Sequence, residues 1–227
     1  MPNIVKITTI LNPLNLLAPH SCRGCGQLGD VLCNRCKKNM IKEHVNICPN
    51  CKNPNPNGRC PHCKDLPPTY VFDKRSELIG TLIHDLKYDS VRALSTPLAE
   101  IASEILPPID GKTILVPLPT ISRHVRSRGF DHTALITKKI AKLRHCQSIN
   151  LLIRAENTVQ VGSNRKKRLL QATKAYDINP HHIIDPDATY ILFDDVWTTG
   201  ASLRAAKQKL EAAGAQKFIF VILALSV

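Results

Sequence analysis

The stretch Tyr190-Ile-Leu-Phe-Asp194-Asp195-Val-Trp197-Thr198-Thr199-Gly200-Ala-Ser202-Leu203 decides how this chain is read. An apolar run leads into two adjacent carboxylates, then a loop carrying hydroxyls and a glycine, then a helix-like stretch from Ser202 to Ala213. This order predicts a buried parallel strand feeding a helix. Carboxylates at the carboxyl end of such a strand can accept hydrogen bonds from vicinal hydroxyls of a sugar. The loop behind them offers backbone N–H groups and a helix N-terminus, which favour a phosphate. The plain alternative is an ordinary strand–turn–helix whose acidic residues cap the helix and complement its dipole.

Outward from this stretch, strand-like and helix-like segments alternate. Leu78, Ile79, Leu82, Ile83 and Leu86 form one apolar stripe at helical spacing. Thr113 to Pro117 and Phe218 to Ala224 are apolar runs suited to buried strands, and Asn150 to Ile153 is strand-like. Thr133 to Leu143 and the basic Arg165 to Lys174 are predicted helices, and Gly214 is a predicted cap after the helix from Ser202. The expected class is α/β, a doubly wound, mainly parallel sheet with its ligand beyond the carboxyl ends of the strands.

Cys22-x-x-Cys25, Cys33-x-x-Cys36, Cys48-x-x-Cys51 and Cys60-x-x-Cys63 are four metal-style knuckles. A tight x-x turn brings two sulfurs to one ion, so two structural Zn2+ sites are expected. Cys22, Cys25, Cys33 and Cys36 would share one ion, and Cys48, Cys51, Cys60 and Cys63 the other; interleaved pairing of the knuckles is the alternative. His62 is expected to face solvent and Cys146 to be a core residue. Leu66-Pro67-Pro68 marks the expected boundary between a zinc module over residues 1–66 and an α/β domain over 67–227. Thr69 to Asp73 would open the second unit. No apolar run reaches the roughly 18 residues of a spanning helix, and Ile4 to Ala18 is interrupted by Asn12, Pro13 and Asn15. The expected location is the cytoplasm, without integral membrane association.

The formal net charge is +13. Eight zinc-bound thiolates and two zinc ions would reduce it to about +9. Residues 120–168 carry twelve Lys or Arg against two acidic groups. Such a block points to an anionic ligand or a polyanion partner, with a solvated surface as the bland alternative. Arg123, Arg126 and Arg128 follow the strand ending at Pro117 and read as a basic loop able to clamp a diphosphate, with Gly129 supplying a turn. Aromatic residues are only 4% of the chain, and Phe130 and Trp197 are the expected candidates for stacking on bases.

The run hydrophobic-Asp194-Asp195-Val-x-Thr198-Thr199-Gly200-x-Ser202 resembles the phosphoribosyl pyrophosphate (PRPP) signature of type I phosphoribosyltransferases. The resemblance implies a fold of phosphoribosyltransferase type. It also implies that Asp194 and Asp195 hold the ribose hydroxyls in the catalytic role, and that Thr198, Thr199, Gly200, Ala201 and Ser202 wrap the 5′-phosphate. With the N-terminal knuckles, Leu82-Ile-His-Asp-Leu-Lys87-Tyr88, Val116-Pro-Leu-Pro followed by Arg128-Gly129-Phe130, and Gln160-Val-Gly-x-x-Arg-Lys-Lys-Arg168, the chain is similar to the ComF competence proteins from Cys22 to Ala224. That family is described as a double zinc ribbon on a phosphoribosyltransferase fold. Its implied role is the handling of incoming single-stranded DNA during natural transformation, with PRPP and Mg2+ as ligands. A DNA-translocating helicase or a recombination mediator are its implied protein partners. Lys87 and Arg168 match family positions and join the arginines as candidates for binding diphosphate or nucleic acid, Lys87 being equally readable as a surface charge. Three departures stand out: Asp131-His132 for Asn-Gln, Ser163-Asn164 for Leu-Ser, and Gln171 for Asn. A binder, an active transferase on an unidentified base or amine, and a PRPP sensor all remain open on these residues.

Overall fold

The computed structural model describes residues 20–74, 76–155 and 175–226. Strands β1 (His20–Ser21) and β2 (Leu28–Gly29) pair antiparallel and present the first knuckle between them. Helix α1 (Asn34–Lys42) starts directly after Cys33. The expected edge run is strand β3 (Thr69–Asp73), followed by α2 (Glu77–Lys87), α3 (Ser95–Glu104) and β4 (Thr113–Pro117). Next come α4 (Ser122–Arg128), α5 (His132–Leu143) and the short strands β5 (Gln147–Ser148), β6 (Leu152–Arg154) and β7 (Tyr176–Ile178). The chain then builds β8 (Thr189–Trp197), α6 (Ala201–Ala212) and β9 (Lys217–Leu225).

Five strands form one parallel sheet in the order β3-β9-β8-β4-β5. Strand β9, Lys-Phe-Ile-Phe-Val-Ile-Leu-Ala-Leu, is buried at every position after Lys217, as a strand covered on both faces must be. One face carries α2, α3 and α5 through Ile79, Leu82, Leu98, Ile101, Ile136 and Ile140. The other carries α6 through Leu203, Ala206 and Leu210. The sheet is therefore doubly wound. Strands β4 and β8 are neighbours, and the chain leaves β4 for α5 on one face and β8 for α6 on the other. That divergence opens a crevice at their carboxyl ends, where ligands of open α/β sheets bind.

Two segments differ from the sequence expectation. Arg123 to Arg128 lies in helix α4 rather than a loop, closed by Gly129 at φ 76°, whose N–H bonds to the Val125 carbonyl at 2.8 Å. The strand-like run at Asn150 to Ile153 does not extend the main sheet. Its later residues form β6, which pairs antiparallel with β7 as a separate ribbon, while Gln147 and Ser148 supply the parallel edge. The predicted helix at Arg165 to Lys174 and the apolar run Ile4 to Ala18 lie outside the described residues. Gly214 follows α6 at φ 107°, and the Ala215 N–H bonds back to the Leu210 carbonyl at 3.0 Å, which closes the helix as expected. Among the described residues no helix is long and apolar enough to cross a membrane.

The knuckle region does not stand apart from the sheet. Cys22, Val31 and Leu32 share a core with Ile79, Leu82 and Leu98. Asn46, buried at 6% exposure, accepts the Val71 N–H at 2.8 Å and donates to the Thr69 carbonyl at 3.2 Å. Its amide thus satisfies backbone groups along the outer edge of β3, which a lone edge strand would leave open.

Candidate functional site

The eight knuckle cysteines fall into two groups, Cys22/Cys25/Cys33/Cys36 and Cys48/Cys51/Cys60/Cys63, each with its sulfurs within 4.8 Å of one another. The sulfurs are thus grouped by sequential rather than interleaved knuckles. A tetrahedral zinc with Zn–S near 2.3 Å needs sulfurs about 3.8 Å apart. Cys25 and Cys33 Sγ are 3.8 Å apart, and Cys51 and Cys60 Sγ 3.5 Å. The Cys33 and Gly24 N–H groups approach Cys22 Sγ at 3.3 and 3.4 Å. Burial alone would raise the Cys22 thiol, but these amides outweigh it and bring it to about 6. In the same cluster Cys36 is pushed up to about 12, by burial first and then by its neighbouring sulfurs. Cys51, at about 7, and Cys63, at about 12, repeat the split. Four sulfurs this close cannot all ionise against one another, so the last proton of each cluster leaves only when a cation replaces it. Both clusters could hold zinc. His62 is exposed, and Cys146 is half-buried against the main core.

The second site occupies the crevice between β4 and β8. A cavity of about 260 Å³ is lined by Lys87 and Tyr88 from the end of α2, Thr120 after β4, His124 and Arg128 of α4, and His132 of α5. From the other side come Arg154 of β6, Tyr176 of β7, Asp194 and Asp195 of β8, and Ser202 of α6. Strand β8 continues in register with β9 to Trp197, so the acidic pair lies within the strand, not beyond its end. Strand alternation sends the two carboxylates to different neighbours. Asp195 faces α2 and α5, pairing with Lys87 Nζ and with His132 Nε2 at 3.1 Å. Asp194 accepts the Asp195 N–H at 2.9 Å and influences Tyr176 on the opposite face.

These surroundings separate the pair electrostatically. Burial raises the Asp194 carboxyl well above the ordinary range, and the adjacent Asp195 charge adds to the rise. Burial works on Asp195 too, but the His132 hydrogen bond and the Lys87 charge prevail and hold it below the ordinary range. Two carboxyls with opposed shifts, side by side in a cleft, make this crevice the candidate functional site. Tyr176 is raised by burial and then by Asp194, with Ser202 and Arg154 acting in the opposite direction. His124 is lowered by burial first and then by Arg123, Arg128 and Lys87, which registers the positive character of this rim.

His132 is fixed at both ring nitrogens. Arg128 Nη1 lies 2.9 Å from Nδ1, which must accept; the ring therefore carries its hydrogen on Nε2 and donates to Asp195. Asp131 caps α5 by accepting the Thr133 and Ala134 N–H groups, and it also accepts the Thr120 N–H at 3.1 Å. Asp131 and His132 thus tie the β4 loop, α4 and β8 together.

The structure brings Lys87, Arg128, Asp194, Asp195 and Ser202 to one cavity. Arg123 and Arg126 are exposed on α4 and are not among its lining, and Arg168 lies outside the described residues. Thr198 and Thr199 are exposed at the loop, and Gly200 caps α6 at φ 71°. A Cβ at Gly200 would lie 2.1 Å from the Trp197 ring, so only glycine allows the loop to close over that ring. The expected stacking role of Trp197 and Phe130 is overturned, since they are only 3% and 7% exposed. Trp197 belongs to the core beneath the loop, and Phe130 lies under Arg92 at 4.7 Å. Tyr88, Thr120, His124, His132, Arg154 and Tyr176 were not reached by sequence reasoning as site residues. They come from separate elements, and only Tyr88, within the quoted Leu82 to Tyr88 stretch, and His132 carried any signal.

No family model and no curated protein matches the chain. Among solved structures it is similar to a hypoxanthine phosphoribosyltransferase from Staphylococcus aureus, at 12% identity and a TM-score of 0.33, over 61% of this chain and 64% of that one. It is also similar to an adenine phosphoribosyltransferase from Trypanosoma brucei, at 12% identity and a TM-score of 0.37, over 82% of this chain and 78% of that one. The chain thus spans a little under two thirds of the first of these proteins.

Proposed function

We propose that the crevice binds PRPP with Mg2+, and that this is a phosphoribosyltransferase-like protein handling incoming single-stranded DNA in the cytoplasm during natural transformation. The observation that carries the reading is the joint lining of one cavity by the acidic pair, by Ser202 in the first turn of α6, and by the cations Lys87, Arg128 and Arg154. Carboxylates suit ribose hydroxyls, a loop before a helix suits a phosphate, and arginines suit a diphosphate. Asp194 and Asp195 are hard oxygen donors of the kind magnesium takes, one or two at a time, beside substrate phosphates. When bound, magnesium would neutralise charge on the diphosphate. Lys87 holds Asp195 ionised, and His132 orients the same carboxylate. The basic block from residue 120 supports the nucleic-acid part of the proposal, since phosphate contacts dominate such binding.

PRPP with Mg2+ at 100 times its dissociation constant should stabilise the fold by about 2.7 kcal/mol. For a chain of this size that is a rise in Tm of roughly 5–11 °C. D194N/D195N should abolish the rise while retaining two zinc ions per chain. Trp197, the only tryptophan, lies beneath the loop and should report the same titration in its emission. No response in either measurement would refute the reading. Diphosphate release dependent on an added base or amine would extend it to transfer.

A further inference from the structure

The chain holds five Phe, four Tyr and one Trp, all among the described residues. Nine of these ten rings are buried, none more than 8% exposed. The exception is Tyr88, at 65% exposure. It does not sit at an arbitrary place on the surface. Tyr88 follows Lys87, the partner of Asp195, and lines the same cavity. Its backbone is fixed as the C-terminal cap of α2, with its N–H on the His84 carbonyl at 2.7 Å. The Arg128 guanidinium lies 5.7 Å from the ring centroid, and the His84 ring lies 5.0 Å away, tilted by 44°.

An exposed tyrosine held by a cation at the mouth of a positively charged cavity has the composition of a stacking platform. Single-strand binding surfaces pair a cationic track along the backbone with aromatic faces for the bases. From the geometry we infer that Tyr88, braced by Arg128, stacks on the planar ring of a nucleobase whose sugar or phosphate lies toward the cavity. The inference rests on the proposed function and names the ring chemistry that this site takes. Such a ring has two sources, a base of single-stranded DNA or a free base approaching bound PRPP. Tyrosine loses little rotamer freedom on stacking, and one face at the rim discriminates weakly among bases, so recognition should depend on rings more than on sequence.

The test compares wild type, Y88A and Y88F, each with two bound zinc ions. The probes are a fluorescein-labelled oligothymidylate, an abasic oligonucleotide of equal length, and free adenine or hypoxanthine added to protein saturated with PRPP and Mg2+. If the ring belongs to DNA, Y88A weakens oligothymidylate binding by about 5- to 100-fold, Y88F restores it, and the abasic strand binds all three alike. The salt dependence keeps its slope, because no phosphate contact is lost. If the ring belongs to a free base, the same pattern falls on adenine or hypoxanthine instead. Equal binding of both ring-bearing probes by wild type and Y88A, or an equal loss on the abasic strand, overturns the inference while leaving PRPP binding untouched. Failure of wild type to bind PRPP and oligonucleotide alike overturns the functional reading, and this inference with it.

Discussion

Replacing Lys87 by methionine isolates the electrostatics on which the site depends. Lys87 Nζ pairs with Asp195, whose side chain is 6% exposed while that of Lys87 is 19% exposed. Breaking a buried pair from one side costs about 3–5 kcal/mol, chiefly because the remaining charge has lost its compensation. His132 still donates to Asp195 in the variant, so the lower end, about 3 kcal/mol, is expected at pH 7. That corresponds to a fall in Tm of roughly 6–12 °C. The sign of the pH dependence follows from the direction of the shift. Asp195 is held below its ordinary pKa in the folded protein, so its contribution is complete above the unfolded carboxylate pKa and fades as pH falls toward the folded one. Removing Lys87 lifts the folded pKa, so wild type and K87M should converge in stability only as the pH falls below the ordinary carboxylate pKa of about 4. The double variant K87M/D195N removes both charges and should regain most of the loss. Urea unfolding of wild type, K87M, D195N and K87M/D195N at pH 7, with zinc saturating, measures the cycle. A loss below about 1 kcal/mol at pH 7 would refute the assignment of Lys87 as the cation that keeps Asp195 ionised.

Gly200→Ala should destabilise by about 2–4 kcal/mol, combining a left-handed φ of 71° with a Cβ driven into the Trp197 ring, and should shift the tryptophan emission. Wild-type stability with unchanged emission would contradict the loop geometry. C36S and C63S should each lower zinc content from two ions per chain toward one, because each removes a ligand from a different cluster. Retention of both ions would mean that the sulfur clusters are not the ligand sets. Affinity for PRPP with Mg2+ should strengthen as the pH rises above the ordinary carboxylate range, since Asp194 holds a proton there that ribose or metal must displace. Isothermal titration in buffers of differing ionisation enthalpy would register the released proton, and a flat pH profile would exclude Asp194 from the contact.

The parts of the fold legible in sequence were those whose burial forces a pattern. Strands β4, β8 and β9 are covered on both faces, so their apolar runs are nearly continuous, and α2 shows its inward stripe at helical spacing. The edges carry no such constraint. Gln147 and Ser148 make a two-residue strand with one neighbour, and nothing in Gln-Ser distinguishes it from a loop. Asn150 to Ile153 has strand-like residues but its partner is β7, a pairing set by tertiary packing. Helix α4 was read as a loop because its seven residues have no buried face to impose a period, although Gly129 marks its end.

The site divides along the same line. The acidic pair and the loop before α6 are contiguous, so one stretch of sequence contains them. His132, Arg154 and Tyr176 reach the cavity from α5, β6 and β7, and their convergence belongs to the topology. Exposure is equally invisible: Tyr176, Phe130 and Trp197 are buried, whereas Tyr88 is exposed at the cavity. The pair Asp131-His132 has a definite physical part in the site. A carboxylate at position 131 accepts three backbone N–H groups, from Thr120, Thr133 and Ala134, and so needs no counter-ion. An imidazole at position 132 accepts from Arg128 and donates to Asp195, a relay with a fixed donor and acceptor order. A side-chain amide such as Gln could make the same two bonds only in one of its two flipped orientations. The histidine therefore connects Arg128 to Asp195 through a ring whose donor and acceptor ends are both engaged.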